Sequence, residues 1–156
     1  MKNRSQIYSL LLWILAIQFF GYLFGGMTKT DIGSWYYNLE KSSLTPPNFV
    51  FGIVWPILYC LIAISGWRIF QGRSSKDNQA IRTYYIIQLL LNWSWTPLFF
   101  HLHQTKLALL CIICIIFFTS LIIISAYRKM RLVSLLMLPY LLWLILASYL
   151  NYVIAY

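Results

Sequence analysis

The chain is 156 residues long, 61% hydrophobic and only 10% charged. A soluble domain carries about 25% charged residues, so the composition excludes an ordinary soluble protein and implies an integral membrane one. The formal charge of +9 would suggest nucleic acid on a soluble surface, but here the cations sit between apolar runs, and no nucleic-acid partner is expected.

A helix needs roughly 20 apolar residues to cross a bilayer. Five segments qualify, at about 6–27, 48–70, 82–103, 106–127 and 131–155. The expected fold is an all-α membrane protein, a five-transmembrane-helix bundle filling residues 1–156 as one domain. Lys2 and Arg4 precede the first span, as in a signal peptide, but its apolar run is too long and no A-x-A site follows. It is read as a span. Its Gly21-x-x-x-Gly25 spacing lets another helix approach closely.

The connection 28–47 is the one long loop. Loops of this length are often lids or binding loops, and Trp35, Tyr36, Pro46 and Pro47 suggest that it packs on the bundle. Segment 71–81 is polar and basic and is expected to be a plain turn. Spans three, four and five are joined by very short turns and should be antiparallel neighbours. Span four is almost wholly Leu, Ile, Cys, Phe and Ala, and is expected to be the most lipid-exposed. Pro56, Pro97 and Pro139 each remove a backbone hydrogen bond, which can splay a bundle and open a cavity.

The cations are asymmetric. Lys2, Arg4, Arg68, Arg73, Lys76, Arg82, Arg128, Lys129 and Arg131 fall on one side, and Lys29, Lys41 and Lys106 on the other. The positive-inside rule places the N-terminus in the cytoplasm and, with five spans, the C-terminus opposite. The bias fits a bacterial inner membrane better than a mitochondrial outer one. The acidic residues Asp31, Glu40 and Asp77 all lie in loops, so no span offers a carboxylate for a proton relay. Cys111-x-x-Cys114 and His101-x-His103 lack further ligands nearby, so no metal is expected, and no obligatory cofactor.

Residues at i, i+3, i+4 and i+7 share a helix face. Gln88, Asn92, Trp95 and Phe99 line up on span three. Trp55, Tyr59, Ile62 and Gly66 do so on span two, Tyr140, Trp143, Ala147 and Asn151 on span five, and Gln18, Tyr22 and Gly25 on span one. Lipid-facing stripes would not carry Gln and Asn, so these faces point inward. At 1.5 Å per residue, Trp55 lies about 10 Å, Trp95 about 12 Å and Trp143 about 19 Å from the outer end. An aromatic pocket under the loop follows, suited to a flat apolar ligand with a few polar groups. The same stripes also suit plain interhelical packing. Trp13 and Trp67 suit interfacial anchoring. Trp93, about 200° around the helix from Trp95, should serve packing.

The ordered motifs Trp35-Tyr36…Leu39-Glu40-Lys41, Pro46-Pro47, Gly52-x-x-Trp55-x-x-Leu58-Tyr59, Gln88-x-x-x-Asn92-Trp93-x-Trp95-x-Pro97-x-Phe99-Phe100 and Pro139-Tyr140-Leu141-x-Trp143-x-x-x-Ala147-x-x-Leu150-Asn151 resemble the translocator protein family, also called tryptophan-rich sensory proteins or TspO/MBR. The likeness covers nearly the whole chain. It implies a five-helix receptor or sensor, often a homodimer, that binds porphyrins such as protoporphyrin IX and haem, and in some members sterols and benzodiazepine-type ligands. It implies a pocket at Trp55, Asn92, Trp95, Trp143, Ala147 and Leu150. It also implies, as an alternative, light- or oxygen-dependent porphyrin breakdown involving Trp55 and Trp143. A third reading, independent of ligands, is a structural partner of another membrane protein. The chain departs from the family pattern at Ser42 and Leu44, where Pro and Trp are usual. It also lacks the basic residue expected after Tyr152 in a sterol motif.

Overall fold

The computed structural model describes residues 2–26, 35–39, 41–72 and 76–156. Part of the predicted lid, residues 28–34 and 40, lies outside the described residues, and Asp31 and Glu40 with it. Helix α1 spans Lys2–Gly26, α2 Asn48–Gln71, α3 Lys76–Thr96, α4 Thr105–Ala126 and α5 Arg131–Ala155. A short 3-10 turn, Tyr36–Asn38, precedes α2. A π-helical turn, Pro97–His101, extends α3.

Among the described residues the regular structure is all helical, as lipid demands. Backbone groups without water must bond within their own segment, and a helix achieves this. Among the described residues four helices are long and apolar enough to cross a membrane: α1 from Arg4, α2, α4 and α5. Helix α3 falls short in apolarity because it carries Asn78, Gln79, Arg82, Gln88 and Asn92. It also begins at Lys76 rather than near residue 82. The segment 76–81 contains neither Pro nor Gly, so nothing in it stops the helix, and the expected turn is correspondingly shorter.

Packing runs α1–α2–α5–α4–α3 around the bundle, with a lighter closure between α3 and α1. The core is made by Ile62, Ala63 and Ile69 of α2, Ile81 and Tyr85 of α3, Ile115 and Ile122 of α4, and Met137, Tyr140 and Leu144 of α5. Helix α4 is not the most exposed helix. Ala108, Cys111, Ile112, Ile115, Thr119, Ile122 and Ala126 repeat at three- and four-residue steps and are all buried. An all-apolar helix can bury one face as readily as it can meet lipid. The least buried is α1, with 11% of its apolar window buried against 33% for α4.

Two indoles differ from the expected interfacial role. Trp13 is half-buried against Phe70, 5.2 Å between ring centroids, and Tyr85, 6.3 Å. It fits because Gly66 of α2 has no Cβ to collide with it. The Trp67 indole N–H is buried without a partner rather than held in water. Trp93 does pack: it joins α3 to α1 through Phe20 at 4.7 Å and Phe24 at 6.1 Å.

Candidate functional site: an aromatic cavity at one end of the bundle

Pro56 has no N–H, so the Gly52 carbonyl one turn earlier loses its usual helical partner. Both residues line a cavity of about 540 Å³. Helix α1 contributes Gln18, Gly21, Tyr22, Gly25 and Gly26, and the 3-10 turn contributes Tyr36. Helix α2 adds Asn48, Phe51, Trp55 and Tyr59. The end of α3 adds Trp95, Thr96, Phe99 and Phe100, and α5 adds Trp143, Ala147, Leu150, Asn151 and Ile154. No lining residue comes from α4, the most apolar of the four helices that could cross the membrane.

Of the residues singled out in the sequence, Trp55, Tyr59, Trp95, Phe99, Trp143, Ala147, Leu150 and Tyr36 share this cavity. Gln88, Asn92 and Tyr140 do not line it. Asn92 is buried directly beneath, with both its amide oxygen and its amide nitrogen hydrogen-bonded. The Tyr59 hydroxyl donates to Asn92 Oδ1 at 2.9 Å, and Asn92 Nδ2 donates to the Tyr140 hydroxyl at 2.8 Å. Hydrogen bonds between membrane helices are worth about 0.6 kcal/mol each on average, so this relay ties α2, α3 and α5 together modestly while fixing the Tyr59 ring. Gln88 lies one turn deeper, fully buried, with neither amide atom hydrogen-bonded. Its distance from the wall follows from the helical rise: it is seven residues before Trp95, about 10 Å.

A second polar tie sits at the wall. Trp95 Nε1 donates to Asn151 Oδ1 at 3.1 Å, and Asn151 Nδ2 donates to the Thr105 carbonyl at 2.9 Å. Trp95 therefore has the partner that a buried indole needs, and its plane is set parallel to Phe99, 18° apart at 5.1 Å. Trp55 leans on Tyr59 at 5.4 Å, and Trp143 meets Phe51 edge-on at 5.6 Å. The Trp143 indole N–H is buried without an acceptor. Gln18 donates to the Pro56 carbonyl at 2.7 Å and to Cys60 Sγ at 3.1 Å, fixing α1 against α2.

Trp35 and Tyr36 cover the end of α3. Trp35 stacks on His103 at 4.2 Å and 22° and meets Phe99 edge-on at 5.7 Å. Tyr36 touches Phe99 and Phe100. The Lys41 ammonium lies 4.8 Å above the Tyr36 ring, and burial pushes the Tyr36 phenol above its ordinary value, so it stays neutral. Pro46 and Pro47 do not line the cavity; Pro47 sets the start of α2. At the departures from the family pattern, Ser42 Oγ donates to the Tyr149 hydroxyl at 3.3 Å and accepts from the Leu44 N–H, while Leu44 points outward and is exposed.

His103 is a contact that sequence reasoning missed. It has a left-handed backbone, φ 54°, a conformation in which His is enriched among non-glycine residues. That turn, following the π-helical end, presents its ring to Trp35. Phe51, Gly52 and Phe100 were also missed as lining residues. Phe51 and Gly52 precede Trp55 by four and three residues, so helical spacing was a signal for both. Among the described residues no group of three or more His, Cys, Asp and Glu converges to hold a metal ion.

Residues 13–156 match the TspO/MBR family. The chain is 36% identical to the tryptophan-rich protein TspO of Archaeoglobus fulgidus over 152 residues, covering 97% of this chain and 96% of the relative. It is 31% identical to the tryptophan-rich sensory protein of Cereibacter sphaeroides over 128 residues, 82% of this chain and 78% of the relative. It is 32% identical to the human translocator protein over 120 residues, 76% of this chain and 71% of the relative.

Proposed function

Because the chain belongs to the TspO/MBR family and is an integral membrane protein, we propose that it is a membrane receptor for porphyrins, protoporphyrin IX and haem among them, and for other flat apolar molecules. The observation that carries this reading is the convergence of Trp55, Trp95 and Trp143, from three helices, on one cavity of about 540 Å³. That volume falls within the range of small-molecule sites, about 300–1,000 Å³. Indoles stack on a flat ring system, and Ala147 leaves room for it.

In this reading Asn92 does not touch the ligand. It positions Tyr59 through the hydroxyl that it accepts, and Asn151 positions Trp95. The polar edges of a macrocycle would meet Gln18, Asn48 and Thr96 on the wall. The cavity lies at the end of the bundle where α2 begins and α5 finishes, and the charge bias supports an orientation with that end outside the cytoplasm.

Titration of the purified chain with protoporphyrin IX, followed by quenching of tryptophan fluorescence, tests the site. Stacking on one aromatic is worth about 1–3 kcal/mol. Trp143→Ala should therefore weaken binding roughly tenfold or more, and Trp55→Ala/Trp143→Ala more still. Unchanged binding in the double variant, measured by porphyrin absorbance, would sink the assignment.

A further inference from the structure

The end of the bundle opposite the aromatic cavity holds a second recess, of about 360 Å³. Arg68, Gln71 and Gly72 line it from the close of α2, and Lys129, Arg131 and Leu132 from around the start of α5. Among the described residues three cations and no carboxylate stand on its wall. Carbonyls at and just beyond the end of α2 would repel an anion, but Arg82 occupies three of them. Its guanidinium donates to the carbonyls of Ile69 at 3.4 Å, Phe70 at 3.2 Å and Gly72 at 2.7 Å. Helix α5 opens at the recess with no acidic residue in its first turn, so its amide dipoles add to the same positive field.

We propose that this recess binds the phosphate of an anionic phospholipid headgroup. Arginine presents a planar fork that matches phosphate oxygens, and basic pockets between membrane helices are suited to lipid headgroups. The recess lies where α2 ends and α5 begins, both long and apolar enough to cross a membrane, and the ends of such helices meet the headgroup region. Phe70, Leu132 and Leu135 are exposed on the same ends of α2 and α5, as a bound acyl chain requires. A topological role alone asks only that cations lie on this side. It does not ask that three of them line one concave, largely polar recess.

The test uses the full chain in uncharged detergent micelles, with native mass spectrometry as the readout. Short-chain phosphatidylglycerol, phosphatidylcholine and inorganic phosphate are titrated separately. Phosphatidylglycerol should bind and phosphatidylcholine should bind at least about tenfold more weakly, given the attraction of each cation near the membrane surface. Arg68→Gln/Arg131→Gln should lose on the order of 30-fold for the two charges removed. Lys106→Gln, at the other end, should change nothing. Both arginines are exposed, and Arg68→Lys/Arg131→Lys, with the charges kept, should retain binding within a few-fold and so separate charge from folding. Equal binding of the two lipids, or an undiminished double Gln variant, would overturn the proposal. Inorganic phosphate binding as tightly as phosphatidylglycerol would overturn it too, because the site would then be for a free anion.

Discussion

Gly21 and Gly25 belong to one G-x-x-x-G spacing, yet their surroundings are opposite. A Cβ on Gly21 would stand 2.5 Å from the Tyr59 ring, whereas one on Gly25 would meet nothing within 4 Å. Gly21 is therefore the point where α2 closes on α1 inside a single chain, and Gly25 is open wall. Overpacking costs about 1–3 kcal/mol, and a Gly in a helix is about 1 kcal/mol worse than Ala. Gly21→Ala should lower the thermal midpoint in detergent and disturb Tyr59, while Gly25→Ala should hold or raise it. Equal shifts for the two would contradict the packing described. The spacing was visible in the sequence, but the difference was not, because it depends on which neighbour leans over each Cα. Indole environments were legible to a similar degree. Helical face separated Trp95 from Trp93. Position near a span end misled for Trp67, whose N–H is buried because its helix turns it inward.

Helix α3 is the least apolar of the five and the one that holds the others together. Tyr85 donates to the Ile62 carbonyl of α2 at 2.9 Å, Asn92 bridges Tyr59 and Tyr140, and Trp95 is bonded to Asn151. These polar groups are costly in hydrocarbon until partnered. In a membrane-insertion reporter, residues 76–103 alone should insert poorly while residues 105–126 insert efficiently; efficient insertion of both would show that α3 does not depend on its neighbours. The inward faces of α2, α3 and α5 could be read from sequence because Gln, Asn and aromatic stripes have no reason to meet lipid. The face of α4 could not, since Leu and Ile suit lipid and core alike. Nor could the π-helical turn. Pro97 announces a lost hydrogen bond, but packing decides whether the helix breaks, kinks or widens, and here the Leu102 N–H bonds the Pro97 carbonyl at 2.9 Å.

At the scale of the whole molecule, the two ends of the bundle differ in kind. One gathers indoles, phenols and amides around a cavity; the other gathers Arg68, Lys129 and Arg131 around a polar recess. By sequence, nine of the twelve cations fall in the terminal and connecting segments assigned to this side, and cations in short loops resist translocation. The recess end should thus face the cytoplasm and the cavity should open on the opposite side, reached by ligands without crossing the membrane. Lys106 and Lys129 mark the two ends and are both exposed, so each can be replaced by Cys with little cost to packing. In intact cells or oriented vesicles, a membrane-impermeant maleimide should label Lys106→Cys from the outer side and Lys129→Cys only after permeabilisation. The native Cys60, Cys111 and Cys114 lie within helices and are buried or half-buried, so background labelling stays low. The reverse pattern would place the cavity end of the bundle in the cytoplasm and remove the charge argument for the side from which a ligand would reach the cavity. Labelling of both positions from both sides would mean that the chain inserts in two orientations, and that nine cations against three are not enough to choose between them.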